Sequence, residues 1–156
     1  RWTSCGIAVG AICGSDSRDP TATYKLFPMT VQIKRLGSDR EPDEGLRIGT
    51  VRRPPRGVRK EEFASKNIYD VWFPNLSPSR ELLKRFFPLD NEKDWKTFKR
   101  QFLAEMKQPG PSRDLDLLAA LSHQSNFSVG CYCEDESRCH RSLLRELFEK
   151  RDADIQ

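Results

Sequence analysis

Phe127-Ser-Val-Gly-Cys-Tyr-Cys-Glu-Asp-Glu-Ser-Arg-Cys-His-Arg-Ser-Leu-Leu-Arg-Glu-Leu-Phe148 carries two hydrophobic periods in succession. Phe127, Val129, Cys131 and Cys133 recur at every second residue, so on a regular strand they share one face. From about Ser137 the period changes, and Leu143, Leu144, Leu147 and Phe148 make the stripe of an amphipathic helix. A strand feeding a helix through a polar turn is half of an α/β unit. The carboxyl end of such a strand is where open α/β sheets place their ligands.

The segments upstream extend this reading. Val31-Gln-Ile-Lys-Arg-Leu36 alternates apolar and polar residues, as a half-buried strand does. Leu46-Arg-Ile-Gly-Thr-Val51 is a second strand, stopped by Pro54-Pro55. Ile68-Tyr-Asp-Val-Trp-Phe-Pro74 is short and reads as a strand or a buried turn. Ser77-Pro78 opens a helix through Leu82, Leu83 and Phe86. Asp90 caps another with Trp95, Phe98, Phe102, Leu103 and Met106 on one face, ended by Pro109-Gly110-Pro111. Ser112 caps a third carrying Leu115, Leu118, Ala119 and Leu121. Strands interleaved with helices predict a small single α/β domain, its sheet partly parallel and flanked by helices.

The length of 156 residues suits one domain with a tail. Residues 1–28 are read as an N-terminal extension, non-native or poorly ordered, and 29–156 as the domain, with Met29 directly before the first strand. Lys+Arg 27 against Asp+Glu 23 leaves only +4, which excludes a histone-like polycation. No apolar run reaches the length of a membrane span. Five cysteines, three of them between 131 and 139, do not form a secreted disulfide framework and argue for a reducing, cytoplasmic compartment. Ser-His-Asp sets, phosphate-binding P-loops and dinucleotide glycine fingerprints are absent.

Cys139, His140 and Arg141 are predicted in the first turn of the last helix, where free N–H groups favour anions and thiolates. Cys139 is thus a candidate nucleophile or redox centre and His140 its activator. Glu134, Asp135 and Glu136 oppose that ionisation. Cys131, Cys133, Cys139 and His140 also supply four donors for zinc or iron, although the usual Cys-x-x-Cys spacing is missing. Cys131 and Cys133 are equally ordinary buried strand residues. Between residues 47 and 60, Arg47, Arg52, Arg53, Arg56, Arg59 and Lys60 occur with no acid among them. Arginine forks suit phosphate or carboxylate; pairing with Glu61, Glu62, Asp39 and Asp43 is the alternative. Arg52, Arg56 and Arg141 are the candidate anion ligands, and nucleic-acid binding by the 47–60 turn is a third reading.

Taken together, Val31-Gln-Ile-Lys-Arg, Arg52 with Pro55-Arg56-Gly57, Val71-Trp72 before Leu76-Ser-Pro-Ser79, and Cys131 with Cys139-His-Arg141 resemble the domain-of-unknown-function 488 family of YeaO-like proteins, in its cysteine-bearing branch. The resemblance implies a small, cytoplasmic α/β fold of Rossmann-like character and supplies no activity. Val51 and Pro54 stand where the family pattern has Asp and Trp, which removes a candidate acid–base carboxylate. Members without these cysteines imply that thiol chemistry is not what the whole family shares. The expectation for this chain is a thiol-dependent enzyme acting on a phosphate- or carboxylate-bearing small molecule or nucleotide. A non-enzymatic metal-binding module is the rival.

Overall fold

A computed structural model describes residues 29–88 and 91–156. The expectations for residues 1–28, and for Asp90 as a cap, lie outside the described residues. Four strands, β1 (Val31–Arg35), β2 (Leu46–Gly49), β3 (Val71–Trp72) and β4 (Phe127–Cys131), form one sheet in the order β1-β4-β2-β3. Every pairing is parallel, so the sheet is more uniform than expected. β4 lies between β1 and β2 and every residue in it is buried. That explains its unbroken apolar and small composition, because strands covered on both faces do not alternate cleanly.

Helices α1 (Arg80–Phe86), α2 (Glu92–Met106) and α3 (Pro109–Ser122) come in one excursion between β3 and β4, and α4 (His140–Glu149) follows β4. Their starts differ from expectation by a few residues, for local reasons. Ser79 caps α1, accepting from Leu82 N at 3.1 Å, while the Ser77 hydroxyl donates to the Pro74 carbonyl. Asn91 caps α2, accepting from Asp94 N at 2.8 Å. Pro109-Gly110-Pro111 opens α3 rather than closing α2. First-turn N–H groups lack helical partners, so proline costs nothing there. α4 begins at His140, not Ser137, because Asp135 captures the Ser137 N–H (2.8 Å) and hydroxyl (2.7 Å) in a tight turn.

The main core joins Val31, Ile33, Ile48, Phe127 and Val129 of the sheet to Leu143, Leu144, Leu147 and Phe148 of α4. Phe98 and Phe102 of α2 stack beneath them with centroids 6.2 Å apart. A smaller cluster of Leu36, Val51, Phe63, Ile68, Tyr69, Cys131 and Cys139 sits past the carboxyl ends of the strands. The C-terminal residues return along β1: Val31 N donates to Asp154 O at 2.7 Å and Gln156 N to Val31 O at 3.1 Å. No helix among the described residues is long and apolar enough to cross a membrane.

Gly45 enters β2 with φ +70°, and a Cβ there would lie 2.0 Å from the Asn126 carbonyl oxygen. Gly45→Ala therefore combines left-handed strain with a backbone overlap. We expect a loss of at least roughly 1–3 kcal/mol, seen as a lower thermal midpoint.

Candidate functional site

At the carboxyl ends of β2 and β4 a cavity of about 540 Å³ opens toward α1. Val51, Arg52 and Arg53 leave β2 along one wall, and Cys131, Tyr132 and Cys133 leave β4. Arg80, Leu83, Lys84 and Phe87 face them from α1 and its end. Four cationic side chains thus line the cavity, and among the described residues no carboxylate does. Among the described residues none of Arg52, Arg53, Arg80 and Lys84 forms a salt bridge. The Arg52 guanidinium donates to the carbonyls of Pro78 (2.9 Å) and Ser77 (2.7 Å), fixing the basic turn against the start of α1.

The three sulfurs of Cys131, Cys133 and Cys139 lie within 4.8 Å of one another, close enough to hold a metal ion. The Cys131 and Cys133 sulfurs are 3.6 Å apart. β4 stops at Cys131, so Cys133 reaches this position from the turn rather than from a shared strand face. Cys139 is the N-cap of α4 and is 1% exposed, whereas Cys133 is half-buried and lines the cavity. Hydrogen bonds from Cys131 and then Cys139, aided by the Arg141 charge, hold the Cys133 thiol well below its ordinary range. Cys131, the donor to Cys133, is pushed up correspondingly. Cys139 is lowered, chiefly by its bond from Cys131 and also by His140.

His140 also lines the cavity, but is outside the three-sulfur set. Its Nε2 bonds to the Thr50 carbonyl at 2.8 Å, which puts the proton on Nε2. Nδ1 is left as an acceptor 3.7 Å from Cys139 Sγ. Arg141 is buried beneath the turn, donating to the Cys133 carbonyl at 2.8 Å, with its Nε unpartnered among the described residues. It supports the thiols from below and is not part of the cavity lining.

The expected repulsion by the three acids does not arise. Glu134 pairs with Arg35 (2.9 Å), Glu136 with Arg145 (3.2 Å), and Asp135 is spent on Ser137. The basic run is also divided. Arg47 is fully buried against Glu44 and belongs to the fold, Arg52 and Arg53 reach the cavity, and Arg56 is exposed outside its lining. Glu62 pairs with Lys66 rather than with an arginine of the turn. Arg80, Lys84 and Phe87 were not anticipated. Their signal was the i, i+4 spacing of Arg80 with Lys84 and of Leu83 with Phe87.

Residues 31–152 match the family model DUF488-N3a, described as the active DUF488-N3 subclade. The chain is similar to the uncharacterized protein YeaO of Escherichia coli (strain K12), 38% identical over 80 residues. That stretch covers 51% of this chain and 64% of the relative, so less than two thirds of the relative is spanned. No solved structure matches.

Proposed function

The chain belongs to the DUF488 family, and we propose that its site binds a small phosphate- or carboxylate-bearing molecule and presents it to the Cys133 thiolate. The observation that carries this reading is one cavity holding Arg52, Arg53, Arg80 and Lys84 together with two thiols, with no carboxylate among the described residues of its lining. Arginine forks and a lysine charge supply charge-assisted donors to an oxyanion. Cys133 takes the role first expected of Cys139, because Cys133 lines the cavity and Cys139 does not. Cys131 then acts as the S–H donor to the thiolate, and His140, whose Nδ1 faces the Cys139 sulfur, positions Cys139 through its Thr50 bond.

Alkylation tests both halves at once. Cys133 sulfur displaces iodide from iodoacetate or iodoacetamide, forming a thioether and releasing the halide. An ordinary thiol gains nothing from the carboxylate of iodoacetate; a cation-lined cavity concentrates it. We expect iodoacetate to modify Cys133 about 10-fold faster than iodoacetamide, with phosphate protecting and added salt shrinking the preference. Arg80→Ala with Lys84→Ala should remove the preference while leaving iodoacetamide modification unchanged. Equal rates in the parent protein would sink the anion site.

A second reading rests on the sulfur triangle. Zinc or iron held by tetrahedral thiolates at about 2.3 Å requires sulfurs about 3.8 Å apart, close to the 3.6 Å of Cys131 and Cys133. Three thiolates would leave the fourth position for His140 or for a bound anion. Elemental analysis with thiol titration on one reduced sample separates the readings. One equivalent of metal with all three thiols protected supports the metal centre; a metal-free protein with a fast Cys133 supports thiol chemistry.

A further inference from the structure

α1 presents two columns to the cavity. Arg80 and Lys84, four residues apart, make a cationic column, and Leu83 and Phe87, also four apart, make an apolar one beside it. Phe87 lies just past the last helical residue, yet its N–H still donates to the Leu83 carbonyl at 3.0 Å, so it stays on the helical spiral. Phe87 is 51% exposed. The wall from β2 and β4 repeats the mixture, with Arg52 and Arg53 next to Val51, and Tyr132 next to Cys133.

A bare inorganic anion would use the cationic column and leave the apolar one wet. A purely apolar ligand would strand four cations. We infer that the ligand is a mononucleotide, its phosphate on Arg80, Lys84, Arg52 and Arg53, and its base laid against Phe87 and Leu83. This rests on the anion reading above and adds the nature of the body that carries the anion. The cavity, at about 540 Å³, lies in the range of roughly 300–1,000 Å³ that small-molecule sites occupy. A flat ring stacking on an exposed phenylalanine gains affinity without demanding a particular base. The site is therefore expected to discriminate weakly among bases and strongly against losing the base altogether.

Calorimetric titration of the reduced full chain with AMP, ribose 5-phosphate and adenosine separates the contributions. AMP is expected to bind at least about 5-fold more tightly than ribose 5-phosphate, the lower end of a base–aromatic stack. Phe87→Ala should abolish that difference while leaving ribose 5-phosphate binding unchanged, and Phe87→Tyr should restore it. The exposure of Phe87 makes these variants safe for folding, which circular dichroism checks. Equal affinity for AMP and ribose 5-phosphate in the parent protein would overturn the nucleotide assignment and leave the anion site standing. A Phe87→Ala loss shared equally by both phosphates would overturn it too. Failure of both phosphates to bind, or adenosine binding as tightly as AMP, would bring down the anion reading with it.

Discussion

Arg47→Ala is expected to lower folding stability by about 3–5 kcal/mol, the cost of stranding one partner of a buried ion pair. The guanidinium is fully buried on β2 and contacts both oxygens of Glu44 at 2.5 and 2.6 Å. It also donates to the carbonyls of Ser38 (2.8 Å) and Asn67 (2.6 Å). Ser128 on β4 donates to the same carboxylate at 2.6 Å, so one network ties the β1–β2 loop to the central strand. For a domain of this size the loss corresponds to roughly 10–20 °C in thermal midpoint. Arg47→Lys should recover little, because an ammonium cannot reproduce a fork that reaches two separate loops. An Arg47→Ala midpoint within a few degrees of the parent would refute the network's role.

The same network sets an acid limit. Burial pushes the Glu44 carboxyl up, but hydrogen bonds from Arg47 and Ser128 outweigh it and hold the group below its usual value. Its contribution is complete above the unfolded carboxylate value near ~4.3 and is lost as pH falls through the lower folded value. Asp70 behaves alike, its burial outweighed by Arg40 and the Arg47 N–H.

Cys133→Ser is expected to produce the largest functional change. With its thiol pKa depressed, Cys133 remains thiolate as pH falls from 8 to 6. Its alkylation rate should stay flat over that interval, while an ordinary thiol with a pKa near ~8.5 slows about tenfold per unit. At pH 6 the fast phase should exceed ordinary thiols by on the order of 10–100-fold, since a stable thiolate is also a weaker nucleophile. Cys133→Ser should remove that phase completely. A phase that survives the substitution would move the role to another cysteine, and a rate that falls with pH like a free thiol would refute the thiolate.

Much of this architecture was legible in the chain. The stripes of α2 and α4 declare themselves because each helix buries one contiguous face, and the alternation of β1 shows although Gln32 is buried beside Val31 and Ile33. β2 misleads for the opposite reason. In Leu46-Arg-Ile-Gly49 both Arg47 and Ile48 are buried, and only the fold reveals that the arginine points at Glu44 rather than at a ligand. The sheet order, with β4 between β1 and β2, is a long-range choice that no local pattern encodes. At the site, the cysteine spacing was visible, but the distances among 131, 133 and 139 depend on where β4 stops and α4 starts. The cationic wall of α1 was invisible for a related reason. Its charges look like any solvated helix face until the basic turn is seen to stand across from them.

The return of residues 154–156 along β1 has a further effect. A parallel sheet exposes two rims of unpaired amides and carbonyls, each able to recruit a strand from another molecule. Here the start of one rim is taken by the chain's own Ile155, bridged to Val31, and the other rim carries the two-residue β3. The chain's own end thus occupies the start of the β1 edge, and Gln156→Pro, which removes the N–H donated to the Val31 carbonyl, should show its effect first as loss of solubility on heating.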